Sequence, residues 1–108
     1  MPVPDNTYSP FGGVDAIDVE GSSATILPAW HGRFVRFADG CVVTIPPGLP
    51  ERFSCGWSQD GAEPITFVAG SGVTLQSHGD ALESAGQYAL GGLGMMEQDI
   101  VRLYGALA

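Results

Sequence analysis

The residues of this 108-residue chain best equipped for chemistry are His31, Cys41, Cys55 and His78. Together they supply the two nitrogens and two sulfurs of a tetrahedral zinc site. Zinc knuckles place ligands in short pairs such as C-x-x-C or H-x-x-x-H, and no two of these four are that close. Two thiols in an apolar core and two capped or solvent-facing imidazoles account for the same residues, so no metal is expected. Nucleophilic catalysis needs a serine or cysteine, a histidine and an orienting carboxylate in one place. No G-x-S-x-G elbow occurs, and Ser71 lies in Gly70-Ser71-Gly72, where a turn explains it. A glycosidase needs two carboxylates across a groove, and twelve acidic residues make such a pair possible anywhere, so the count discriminates nothing. Gly92-Leu93-Gly94 runs into Met95-Met96-Glu97 and lacks the glycine and lysine of a phosphate loop. The expectation is a protein without catalytic residues and without a cofactor.

Charge narrows the partners. Twelve acids face four bases, all arginine, for a formal charge of -8. Such a chain repels nucleic-acid phosphates, so nucleic acid is not expected as a partner. No run approaches the ~18 apolar residues of a membrane span, and the opening MPVPDNTYSP has neither the basic start nor the apolar stretch of a secretory leader. No membrane is expected, and the implied reducing compartment favours Cys41 and Cys55 as free thiols.

These side chains must be positioned by short strands, because 16 glycines and 8 prolines leave little room for long helices. Residues 1–22 read as an extended acidic N-terminal arm: Asp5, Asp15, Asp18 and Glu20 occur without a base, and Pro2, Pro4 and Pro10 keep the backbone extended. The arm still carries apolar residues, Val3, Phe11, Val14, Ile17 and Val19 among them, which suit docking onto the domain or a neighbour.

Residues 23–108 read as one β-domain. Arg33–Phe37 alternates, with Val35 and Phe37 on one side, and Ala38-Asp39-Gly40 has hairpin-turn chemistry before Cys41–Ile45. A rigid proline loop, 46–50, leads to Phe53–Gln59, which places Phe53, Cys55 and Trp57 on one face. Asp60-Gly61 and Gly70–Gly72 turn the chain on either side of Ile65–Val68, and Val73–Ser77 follows. Gln87–Leu90 reads as a strand, Gly91–Gly94 as a loosening of the chain, and Ile100–Tyr104 as the closing strand. Met95, Met96, Ile100, Leu103 and Tyr104 also fit helical spacing, but β-formers and flanking glycines favour strand. Strand-like runs at this spacing predict an all-β fold, a small antiparallel β-sandwich or barrel.

From Trp30 onward the chain resembles a small β-domain of bacteriophage virion proteins, of the tail-fibre, baseplate and capsid-surface type. The resemblance is carried by Arg33–Phe37, Val43-Thr44-Ile45-Pro46, Phe53-Ser54-Cys55 and Gln59-Asp60-Gly61-Ala62. It continues through Pro64–Leu75, Ala85-Gly86-Gln87-Tyr88-Ala89 and Leu103-Tyr104-Gly105-Ala106-Leu107. It spans about three quarters of the chain and is densest from Gln59 to Leu75. Such domains often end in a tryptophan- or threonine-rich strand, where this chain has Met95-Met96-Glu97-Gln98-Asp99. Here the domain is expected to stand alone behind its acidic arm.

The resemblance implies a virion structural protein, assembled in the host cytoplasm. The first expectation is a capsid decoration or cement protein that contacts itself, as a trimer or hexamer, and the major capsid protein. Val3, Phe11, Val14, Ile17, Val19, Met95 and Met96 are the interface candidates. The alternative is a tail-fibre or baseplate module binding a host glycan, with Trp30, Trp57 or Tyr88 stacking on a sugar ring.

Overall fold

A computed structural model describes residues 16–108. Nine strands are present among them: β1 (Ile17–Val19), β2 (Ser23–Thr25), β3 (Phe34–Phe37), β4 (Cys41–Ile45), β5 (Ser54–Gln59), β6 (Ile65–Ala69), β7 (Thr74–Ser77), β8 (Leu90–Glu97) and β9 (Ile100–Gly105). Single 3-10 turns occur at Pro28–Trp30 and His78–Asp80. The fold is all-β, as the short alternating runs predict.

The pairing differs from the expected antiparallel sandwich or barrel. β1, β3 and β5 pair in parallel, and so do β2, β4 and β6 in a second sheet. The chain therefore winds as a β-solenoid-like coil, laying one strand in each sheet per turn. Asp39-Gly40, Asp60-Gly61 and Gly70–Gly72 are not hairpins but corners that carry the chain from one sheet to the other. Two-residue periodicity reports which face a side chain takes and not which strand lies beside it, so both architectures write the same alternation.

The six-stranded sheet runs β1-β3-β5-β8-β9-β7. β7 pairs in parallel with β9, and β8 is antiparallel to both β5 and β9. The β8–β9 hairpin thus stands between β5 and β7, which is the outermost strand on that side. Its turn is Gln98-Asp99, with Asp99 at a φ of 63°, and a bulge falls between Met95 and Glu97. The predicted strand over Gln87–Leu90 begins only at Leu90, because Tyr88 has a φ of 71°.

Gly91–Gly94 lies inside β8 and does not loosen the chain. A β-carbon at Gly91 would overlap the Trp57 indole and the Tyr104 carbonyl, so the glycine is where the largest core side chain fits against a neighbouring strand. Gly105 has a φ of +111° and meets the Gly91 backbone from β9.

The core forms one cluster fed by both sheets. Val35, Phe37, Cys55, Trp57, Leu93, Val101 and Leu103 enter from the larger sheet; Cys41, Val43, Ile45, Ile65 and Phe67 enter from the smaller. The Trp57 and Phe67 rings meet at 5.3 Å across the interior. Burying each large apolar side chain is worth about 1.5–3 kcal/mol, which is the main stabilising contribution. The cavity between the sheets, lined by Trp30, Cys55, Trp57, Phe67 and Leu93 among others, holds about 10 Å³ and is at the limit for one water.

One end of the coil is covered by the chain itself. The Phe67 and Ser84 amides donate to Leu82 and Ile65 carbonyls at 2.8 and 2.9 Å, which lays residues 82–84 along the free edge of β6. A buried polar knot fixes this cover: Ser84 Oγ donates to Gln59 Oε1 at 2.6 Å and accepts from the Ile65 amide at 2.7 Å. Gln59 Nε2 in turn donates to the Gly61 carbonyl at 3.0 Å. Of the expected arm, Ile17–Val19 form β1, while residues 1–15 lie outside the described residues.

Candidate functional site

The zinc inventory is dispersed. Cys41 is buried in β4 of the smaller sheet and Cys55 in β5 of the larger one, both as free thiols. His31 Nδ1 accepts a hydrogen bond from the Ser54 amide at 3.2 Å, and its ring lies 5.7 Å from Phe53. His78 belongs to the turn after β7. Among the described residues, no three histidine, cysteine or acidic side chains gather into a metal-holding group.

Burial pushes the Cys55 thiol up from 9.0 to about 12 and, with Asp39 nearby adding to it, also raises Cys41. Both are protonated at neutral pH and unsuited to attack or metal binding. Two outcomes follow. Native protein reacts with a thiol reagent only as fast as it unfolds, as stopped-flow labelling at pH 8 will show. Stability also falls as pH rises through the window from 9 to about 12, because the unfolded Cys55 loses its proton first. The slope there is about 1.4 kcal/mol per pH unit for that thiol, readable from denaturant midpoints. A flat profile across that window would mean that water reaches Cys55.

The aromatic residues separate clearly. Trp30 and Trp57 are 7% and 1% exposed and belong to the core, so neither is available to stack on a sugar. Tyr88 is 77% exposed. Of the interface candidates, Val3, Phe11 and Val14 lie outside the described residues. Ile17 and Val19 are half-buried against the core from β1. Met95 is buried under the larger sheet, whereas Met96 is exposed on its outer face. The structure therefore splits the Met95-Met96 pair between inside and outside, as strand alternation requires.

Met95 and Met96 do share an open cleft of about 420 Å³ with Glu51, Arg52, Glu97 and Gln98. Its walls are tied together by Gln98 Nε2 donating to the Leu49 carbonyl at 3.1 Å and the Gly48 amide donating to Asp99 Oδ1 at 2.9 Å. The mixed lining of two carboxylates, a guanidinium and two thioethers selects no single ligand chemistry.

A different surface was not anticipated from the sequence. Inward positions of β2, β4 and β6 are Ala24, Cys41, Val43, Ile45, Ile65 and Phe67; the alternate positions point outward. Register aligns the outward ones in two rows across the sheet, Ser23–Val42–Thr66 and Thr25–Thr44–Val68. None of the six is charged, in a chain of formal charge -8. Val42 at the centre is 45% exposed. Glu83 bridges to Thr66 and extends the first row at the sheet's edge with a carboxylate, its Oε2 accepting from Thr66 Oγ1 at 3.4 Å. The outer face of the larger sheet is different, carrying Asp18, Arg36 and Arg102; there Arg36 pairs with Asp18 at 2.6 Å. A patch of six uncharged, mostly β-branched residues is suited to lying against another protein, because the centres of interfaces are depleted of charge. The sequence does signal it: the outward residues of β2, β4 and β6 are all serine, threonine or valine. The signal becomes readable only when those strands are known to share a sheet.

Compared with known proteins, the chain matches no family model, no curated protein and no solved structure.

Proposed function

We propose that this protein is a bacteriophage virion structural protein, a decoration or cement protein that sits on the capsid in many copies. The uncharged outer face of β2, β4 and β6 lies against the major capsid protein. That face is the observation that carries the reading. Its six outward residues carry no charge in a strongly acidic chain. The virion setting rests on the resemblance of the segments from Trp30 to Leu107. A small rigid body with one flat contact binds weakly by itself, and repetition over a shell supplies the avidity.

Val42→Glu places a carboxylate in the middle of the face without touching the core. Fold stability changes by about 1 kcal/mol or less, while affinity for capsid shells falls on the order of 30-fold, the equivalent of about 2 kcal/mol. Co-sedimentation with shells assembled from the major capsid protein reads this directly. Wild-type protein that stays in the supernatant, or a variant that binds as well as wild type, overturns the reading. The alternative, a tail-fibre or baseplate module reading a host glycan, keeps Tyr88 of its three stacking candidates, Trp30, Trp57 and Tyr88. Cell binding that survives Val42→Glu and disappears with Tyr88→Ala would select it.

A further inference from the structure

We infer that the end of the coil formed by β1 and β2 is a two-fold pairing site for a second copy of this chain. The two ends of the coil are built differently. At the far end residues 82–84 cover β6, while the larger sheet runs on past β5 through β8 and β9 to β7, its other edge strand. At the near end β1 and β2 are the outermost strands of the two sheets among the described residues, each paired on one side only. Between them Ile17, Val19 and Ala24 are half-buried, continuing the cluster that contains Ile26, Val35, Phe37 and Val43. An end like this exposes the edges of two sheets and the apolar layer between them together.

Three features select the occupant. It must offer two strand edges at the separation of these two sheets, with apolar side chains between. A second copy of the same end has that spacing by construction. A two-fold axis along the sheet normal sets β1 antiparallel to its mate and β2 antiparallel to its mate, which makes one self-complementary surface sufficient.

Of the usual deterrents to pairing the edge carries two, strands of only three residues and one carboxylate. β1 is Ile-Asp-Val and β2 is Ser-Ala-Thr, with no lysine, proline or bulge. Its single charge is already compensated, because Arg36 Nε and Nη2 donate to the two carboxylate oxygens of Asp18 at 2.6 and 2.9 Å. Pairing there joins the uncharged faces of two copies into one six-stranded surface, since each copy contributes β2, β4 and β6. A hexamer is then a trimer of such pairs.

The inference supplies the many-copy reading with its repeating contact and depends on that reading only for its use. Light scattering on the full chain at about 100 μM tests it without any capsid. Wild type should run at twice the 11.2 kDa chain mass. Ala24→Lys, which puts an ammonium into the apolar layer between β1 and β2, should run at the single-chain mass with unchanged β-type circular dichroism. Ala24→Cys gives a second readout: mild oxidation should cross-link the pair through position 24, because the native thiols are buried. A wild-type monomer, a dimer that persists in Ala24→Lys, or a dimer that does not cross-link through Ala24→Cys overturns the inference. Monomer whose β2 amides resist hydrogen exchange would mean that the chain covers its own edge, and that also overturns it. A monomer that still binds shells removes the pairing and leaves the function; a dimer that ignores shells does the reverse.

Discussion

Replacing Gly91 by alanine is expected to cost about 3 kcal/mol or more, a large share of the 5–15 kcal/mol that holds a domain of this size together. The added methyl has nowhere to go. It would overlap the Trp57 ring on one side and the Tyr104 main-chain carbonyl on the other. Neither gives way cheaply: Trp57 is 1% exposed, and Tyr104 belongs to β9, hydrogen-bonded to β8. A carbonyl held by a sheet ladder moves only if the ladder moves. The strand is also central, with β5 on one flank and β9 on the other, so a shift spreads to both. Thermal denaturation checks this, at roughly 4–8 °C of Tm per kcal/mol lost. Gly94→Ala is the internal comparison. A β-carbon there meets only the mobile end of Met96 at 3.5 Å, so the change should be tolerated. Equal losses at the two positions would mean that glycine is needed in β8 for backbone reasons and not to seat Trp57.

What could be read from the sequence follows what alternation can encode. The inward side of β3, Val35 and Phe37, and the shared face of Phe53, Cys55 and Trp57 are visible because each strand writes its own faces in its own residues. The neighbours of a strand are written elsewhere. Asp39-Gly40 serves equally well as a two-residue hairpin or as a corner between sheets, and only the pairing of Val35 with Trp57 and of Val42 with Thr66 decides it. Gly91–Gly94 reads as a loosening of the chain for a related reason. Four residues with three glycines normally weaken a strand, and the compensating term, the indole packed over Gly91, comes from a residue 34 positions earlier in the chain. The candidate face was hidden in the same way. Val42 alone is an exposed valine of no consequence; between Ser23 and Thr66, it is the centre of a surface.

Trp57→Ala is expected to cost about 3–5 kcal/mol, the upper range for deleting a buried aromatic. The ring contacts Phe67 across the interior at 5.3 Å and lines the space between the sheets, so its removal leaves both sheets without their central contact. Trp57→Phe should cost at least 2 kcal/mol less than the alanine change. It keeps an aromatic ring against Phe67, and it removes Nε1, a buried donor with no partner among the described residues. The decisive experiment joins this position to Gly91. If glycine is present in β8 to seat the indole, Gly91→Ala in a Trp57→Ala background loses much of its penalty. The two changes are then non-additive by about 1–2 kcal/mol, the residual cost being the overlap with the Tyr104 carbonyl. Chemical denaturation of the four proteins of this cycle measures the coupling. Additivity within about 0.5 kcal/mol would show that ring and glycine act independently, and the packing of β5 on β8 would need another explanation.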